Sequence, residues 1–357
     1  DTVGASSGAL SNRNLVINGA MQVAQRATSV TGIGGSSGYF TVDRFNIGIG
    51  STSAGRLTMS QHADGPSGFA NCIKLDCTTA DTSIHADERL LLRHIIEGQD
   101  LQRLKKGTSD AESFTISFYV KGNAAATYSL SLYDNDNGRT ISQTFSVTTS
   151  WNRIELTFAG DTTGAFGDDN GASLYLDIFL HAGSSYTSGT LGTSWASNNN
   201  ATRAVGISSF FDSTNREFFI TGYQMEVGDT ATDFEHPRSF GDELARCQRY
   251  FCKIENNTGG LKYWGILQAY TANNVFGVLK EFPAEMRTTP TGAQSGNFGG
   301  YLASSSNASL ATTIGALATT SRAWISTGWG TSSSLVAGYA VVTYWENGAF
   351  LTADAEL

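Results

Sequence analysis

Clustered basic residues, long apolar runs, proline and cysteine are all scarce in this sequence, and each scarcity excludes something. Its 357 residues carry 23 Lys and Arg against 32 Asp and Glu, a formal net charge of −9, and the one short basic cluster is Lys105–Lys106. Phosphate backbones are held by grouped Lys and Arg, so nucleic acid is not expected as a partner. No stretch of about 18 apolar residues occurs, and the opening DTVGASSGALSNRN has neither a charged n-region nor an apolar h-region. The expectation is no membrane span and no intact signal peptide. The four cysteines fall as Cys72/Cys77 and Cys247/Cys252. In a strand, five residues put two thiols on opposite faces about 16 Å apart; on a helix they stand about 140° apart around the axis. Neither pair is expected to bridge, and buried free thiols follow. His62, His85, His94, His181 and His236 show no metal spacing, so neither metal nor cofactor is expected.

What the chain does have is glycine, 40 residues against 4 prolines, with only 15% charged residues. Many tight turns between short strands fit that composition. The runs RLTMSQ, NCIKLDC, LLLRHIIEG, ESFTISFYVKG, TYSLSLYD, TISQTFSV, NRIELTFAG, ASLYLDIFLHA and EFFITGYQMEVG recur at regular intervals, each bounded by turn residues. Apolar residues alternate at Phe114, Ile116, Phe118 and Val120, and again at Leu174, Leu176, Ile178 and Leu180, which buries one face of each strand. Upstream, NLVINGAMQVAQR and YFTVDRFNI read as two strands joined by the flexible loop ATSVTGIGGSSG. Between Glu88 and Lys106 a strand ending near Gly98 is expected, followed by a short turn or helix.

SFGDELARCQRYF breaks this pattern. Phe240, Leu244, Cys247 and Phe251 are spaced by four, three and four, a helical stripe, with Ser239 and Asp242 placed as a capping box and Pro237 just upstream. Beyond it, LKYWGILQAYT, NVFGVLKEFPAEM, AWISTGW and LVAGYAVVTYWENGAF return to β character, with many aromatics and little charge, which suggests surface buried between subunits. With no crossover helices between strands, the fold class is all-β: an N-terminal jelly-roll β-sandwich, a short linking helix and a smaller C-terminal β-sandwich domain. The expected division is a linker or anchor over 1–12, the jelly roll over 13–236, the helix over 237–253 and the C-terminal domain over 254–357. The stripe would seal the base of the first sandwich or pack against its own copies.

Catalytic chemistry is sought without success. Gly34-Gly35-Ser36-Ser37-Gly38 matches G-x-S-x-G, but it lies in a Gly/Ser loop with no preceding apolar strand and no following helix. Asp134, Asp136, Asp168 and Asp169 fit turn chemistry in DNDNG and DDNG better than a glycosidase's paired carboxylates. DNDNG has its glycine at the fifth position and no closing Glu, so it is no EF-hand. No enzyme is expected. Glycan recognition needs aromatic faces beside amides. The loop HAGSSYTSGTLGTSWASNNNATR supplies Tyr186 and Trp195 with Asn198, Asn199 and Asn200, and Trp324 with Trp329 flank a second loop. These are the candidate glycan or receptor contacts, whereas Trp151, Trp264 and Trp345 lie in strand-like runs and are expected in cores.

At DRFNI, IEGQDLQRLKKG with FTISFYVKG, ITGYQMEVGDTATDFEHPRSFGDELARCQRYF and the terminal FLTADAEL, the chain resembles fibre-type virion structural proteins of tailed bacteriophages, marine phages in particular. The middle motifs are also similar to the jelly-roll carbohydrate-binding modules attached to glycosidases. That resemblance implies a virion location and a homotrimeric tail fibre or receptor-binding protein that attaches, without catalysis, to host cell-surface glycan and contacts other virion proteins. A capsid-bound fibre, knob or decoration protein is the alternative; a glycan-degrading tailspike would want a solenoid repeat, and none is present.

Overall fold

The computed structural model describes residues 12–51, 54–271, 274–302, 316–328 and 337–357. In chain order the strands of the first unit are β1 (Ser29–Ile33), β2 (Gly38–Tyr39), β3 (Phe45–Gly50), β4 (Arg56–His62), β5 (Cys72–Thr79), β6 (Arg89–Glu97), β7 (Phe114–Gly122), β8 (Ala126–Asp134), β9 (Arg139–Val147), β10 (Asn152–Phe158) and β11 (Ala172–Ala182). The one-turn helix α1 (Ser184–Thr187) follows, then β12 (Ala196–Ser197) and β13 (Glu217–Val227). They form two antiparallel sheets, β1-β4-β5-β13-β7-β10 and β12-β9-β8-β11-β6-β3-β2. Strands that are neighbours in the chain are often divided between the two sheets, as a jelly roll requires. The alternation read from the sequence is what closes the sandwich: Ile116, Phe118 and Val120 of one sheet and Leu130, Leu132, Leu174, Leu176 and Ile178 of the other belong to one buried cluster. After β6 come two 3-10 turns, Gly98–Asp100 and Gln102–Leu104, as expected.

Two expectations near the N-terminus are corrected. Leu15, Val16, Ile17, Met21 and Val23 are buried, yet NLVINGAMQVAQR is irregular chain and not a strand. Asn18 and Met21 adopt φ of 62° and 56°, which interrupts an extended run. The Asn18 amide closes the resulting loop on itself, donating to the Val23 carbonyl at 2.8 Å and accepting from the Val23 N–H at 3.0 Å. Conversely, the supposed flexible connection contains β1, paired with β4 from Ser29↔Ser60 to Ile33↔Leu57. Ser36 sits at the exposed bend between β1 and β2 with no helix after it, so it has no nucleophile elbow.

The helix α2 spans Phe240–Gln248. Ser239 caps it as expected, its Oγ accepting from the Asp242 N–H at 3.1 Å and donating to the Asp242 carboxylate at 2.9 Å. The stripe is only partly realised. Cys247 is buried and Leu244 half-buried, but Phe240 is 56% exposed. Phe251 lies beyond the helix: the chain turns with the Tyr250 N–H on the Cys247 carbonyl at 2.9 Å, and Phe251 opens a strand. The chain forms two compact units that divide inside this helix, between Glu243 and Leu244.

The second unit contains β14 (Phe251–Glu255), β15 (Lys262–Thr271), β16 (Asn274–Glu281), β17 (Thr291–Ser295), β18 (Phe298–Leu302), β19 (Ala316–Thr319), β20 (Ala323–Gly328), β21 (Ala340–Trp345) and β22 (Phe350–Asp354). Its sheets run β14-β22-β17 and β18-β21-β15-β16-β20-β19. Cys252, Leu267, Phe282, Phe298, Trp324, Val341 and Leu351 form a separate core. All four cysteines are free and buried, and burial pushes the Cys72 thiol up to about 12 and Cys77 to about 11.

Candidate functional site

The face of the seven-stranded sheet turned away from the core is built from the residues that alternate with the core positions. Cross-strand register sets them in rows. One row runs Thr140, Tyr133, Tyr175, Ile95 across β9, β8, β11 and β6. The next runs Ser142, Ser131, Asp177, Arg93, Asn46, Tyr39 and continues onto β3 and β2. A third holds Ser129, Phe179, Leu91 and Gly48. At about 4.8 Å between strands, the second row spans roughly 24 Å.

The segment after β11 covers the third row. Its start is fixed by Gly183, whose N–H bonds the Glu88 carbonyl at 2.8 Å and where a Cβ would meet the His85 carbonyl oxygen at 1.9 Å. Tyr186 and Ala204 then pack on Leu91 and Phe179. This folds Arg203 back over the second row, where its Nε donates to Ser131 Oγ at 3.0 Å and its Nη2 to Asp177 Oδ2 at 2.8 Å. Arg93 takes the same carboxylate side-on, Nε to Oδ1 at 2.5 Å and Nη2 to Oδ2 at 2.9 Å. Each guanidinium also lies over a tyrosine: Arg93 is 4.7 Å from the Tyr175 ring centre and Arg203 is 5.4 Å from that of Tyr133. The two tyrosine rings are 5.7 Å apart, and both remain half-exposed.

Burial alone would raise the Asp177 carboxyl, but the charges of Arg93 and then Arg203, with their hydrogen bonds, hold it below the usual carboxylate range. For Arg93 burial is outweighed by Asp177, and its pKa is raised. Arg203 is lowered, first by burial, which the charge of Asp177 opposes, and further by the charges of Arg93 and Arg89. Tyr175 is raised by burial despite Arg93. The result is a set of mutually fixed charges packed against two half-buried tyrosine rings. Such a surface can take an apolar ring face on the tyrosines and direct hydrogen bonds at groups around it.

None of these residues was singled out in the sequence, although the signal was present in YLDIF: Tyr175 and Asp177 occupy the positions opposite to the core-facing leucines, and a charge in mid-strand is rare without a partner. Of the sequence candidates, Tyr186 is corrected. It is only 5% exposed, and its hydroxyl accepts from Arg89, so it packs the covering segment. Trp195 is half-buried on the sandwich core, with Nε1 donating to the Ala159 carbonyl at 2.8 Å. Asn198 and Asn199 are exposed close by; Asn199 caps a 3-10 turn through the Ala201 N–H at 3.1 Å, and the Asn198 N–H bonds Gly138 O at 2.8 Å. Tyr186 is therefore not brought together with Trp195 in one open site. Trp324 is also corrected: it is fully buried, its ring 4.2 Å from that of Phe282 and its Nε1 bonded to the Thr352 carbonyl at 3.2 Å. Trp329 lies outside the described residues. Trp151 is half-buried and Trp345 packs on the second core.

The acidic turns hold themselves. Asp134 Oδ1 accepts from the N–H groups of Asp136 at 3.0 Å and Asn137 at 3.1 Å, and Asp169 Oδ1 from Gly171 at 2.8 Å. Asp134 and Asp161 also clamp the buried Lys106 ammonium at 2.7 and 3.2 Å, and no group of three or more potential metal ligands occurs among the described residues.

No family model matches the sequence, and neither does any curated protein. Solved structures to which the chain is similar include one described as CBM4 structure and function, at 10% identity, covering 60% of this chain and 99% of that one with a TM-score of 0.31. Another is TmCBM61 in complex with β-1,4-galactotriose, at 8% identity, 60% and 99% coverage and a TM-score of 0.31. A third is the CBM22-1 xylan-binding domain of Xyn10C from Paenibacillus barcinonensis, at 13% identity, 59% and 92% coverage and a TM-score of 0.28.

Proposed function

We propose that the first unit binds glycan non-catalytically on the row containing Tyr133 and Tyr175. The observation that carries this is a half-exposed cross-strand tyrosine pair whose neighbours, Arg93, Asp177 and Arg203, are already fixed by one another. Sugar rings present an apolar face to an aromatic and hydroxyls to charged or amide groups, and a preorganised set loses little entropy on binding. Titration of the purified protein with a panel of defined oligosaccharides tests it. Tyr175→Ala and Tyr133→Ala should each weaken binding at least tenfold with an unchanged melting temperature; a ligand bound equally by both variants and the parent would place recognition elsewhere.

In the wider setting, the module is read as part of a fibre-type virion protein that attaches to host cell-surface glycan as a homotrimer, where three weak sites gain avidity. That reading rests on the motifs that resemble phage fibre proteins. A second reading, an assembly component of the virion without host contact, is favoured by Ile266 and Tyr263 of β15, 69% and 62% exposed in the second unit. Light scattering of the purified chain separates monomer from trimer, and host-cell binding by the Tyr175→Ala trimer separates the two readings.

A further inference from the structure

On the outer face of the seven-stranded sheet, two guanidinium groups share one carboxylate. Arg93 and Arg203 both bond Asp177, so the cluster carries one positive charge more than it neutralises. Arg89, on the same strand as Arg93, adds another: its Nη1 meets the Tyr186 hydroxyl, and no carboxylate pairs with it among the described residues. Buried charge is costly without a counter-charge, and the strain registers at Arg203, which is held down by its neighbours Arg93 and Arg89 as well as by burial. The whole chain is acidic, with a net charge of −9, so this excess is local.

Of the two guanidinium groups on Asp177, Arg93 is the more open. Arg203 and Asp177 have side chains 9% and 0% exposed, whereas Arg93 is 23% exposed. Its Nε and Nη2 are taken by Asp177, which leaves Nη1 on the outward edge of the fork. The guanidinium carbon lies 4.7 Å from the Tyr175 ring centre, and Asn46 is the residue opposite Arg93 on β3. The exposed carboxylate nearby, Asp136, is on the Tyr175 side, where its charge acts on that ring, and its Oδ2 accepts from the Gly167 N–H at 2.8 Å.

We infer that the glycan taken by this face is anionic, and that the carboxylate or sulfate of an acidic sugar meets Arg93 Nη1 while a ring stacks on Tyr175. This rests on the glycan-binding reading of the same face. The acidic group supplies the missing counter-charge, and neutral sugars of the same shape leave it missing.

The test is binding of matched pairs by the full chain: a uronic-acid oligosaccharide with its carboxyl-reduced form, and a sulfated galactan oligosaccharide with its desulfated form. At least one acidic member should bind tenfold or more tighter than its neutral partner, and which pair shows it tells carboxylate from sulfate. That preference should shrink as salt is raised. Arg93→Gln should reduce the ratio of acidic to neutral affinity to within about threefold, whatever it does to the affinity for the neutral member. Because Arg93→Gln could disturb Asp177, Asn46→Asp gives a second measure: a near-isosteric carboxylate opposite Arg93 should remove the acidic preference while keeping Arg93, Asp177 and Arg203 in place. Equal affinity within both pairs, or an acidic preference untouched by both variants, overturns the inference while Tyr175-dependent binding still supports the glycan site. Binding that survives Tyr175→Ala, or no binding at all, overturns both.

Discussion

His181 shows how a single buried side chain sets a pH limit on the fold. Its Nδ1 meets Ser209 Oγ at 2.8 Å, while Nε2 faces Glu88 Oε2 at 3.5 Å, too far for a good hydrogen bond. Burial lowers its pKa from the ordinary 6.5, against the opposing pull of Glu88 and Asp81. A base with a lowered folded-state pKa takes up its proton more readily when unfolded. Its contribution to stability is therefore complete above about pH 6.5 and falls as pH drops below that, by at most ~1.4 kcal/mol per pH unit, until the folded pKa is reached. Urea midpoints between pH 7.5 and 5.5 should fall for the parent and fall less for His181→Asn. At this scale the sequence was least legible. Tyr186, Trp195 and Trp324 all stood in polar or glycine-rich surroundings that suggested exposure. Two of them are buried because another element supplies the covering ring, Phe179 of the preceding strand β11 for Tyr186 and Phe282, far off in the chain, for Trp324. Local composition carries no record of such contacts.

At the scale of elements the reading went further, for period-2 alternation is a local signal with a direct physical cause. β4 to β11 and β13 lie where the alternating runs placed them, and the turn after Gly98 is present. The failures were segments whose backbone is shaped by side-chain hydrogen bonds, such as the loop closed by Asn18, or by pairing with a distant strand, as in β1. The same holds for the candidate site. Tyr133, Tyr175 and Asp177 could have been found by reading the polar face of each strand, but Arg203 reaches them only through the covering segment. That dependence is testable at Gly183. Substitution by Ala there drives a Cβ into the His85 and Ala86 carbonyls, 1.9 and 2.5 Å away, and should cost roughly 1–3 kcal/mol. The melting temperature should fall, and glycan affinity should drop with it because Arg203 is no longer anchored. Unchanged affinity would mean the covering segment does not organise the site.

For the whole molecule, the sequence reading of two β-sandwiches around a short helix agrees with the sheets observed, and the separate cores suit separate tasks. Trp324→Ala should destabilise the second unit by about 3–5 kcal/mol and leave oligosaccharide affinity unchanged, as calorimetry paired with binding would show. A parallel loss of affinity would move the binding site to the second unit. Quaternary structure was beyond the reach of pattern and composition, because the exposure of residues such as Ile266 does not say whether anything covers them. The four sequestered thiols have a practical consequence for that question. With Cys72 and Cys77 titrating only at strongly alkaline pH and Cys247 and Cys252 enclosed, the native surface offers maleimide nothing to react with. A single cysteine introduced on the tyrosine face would be the sole point of labelling, so a dye can be placed there to follow ligand capture, and to test whether copies of the chain associate, without removing any residue the fold uses.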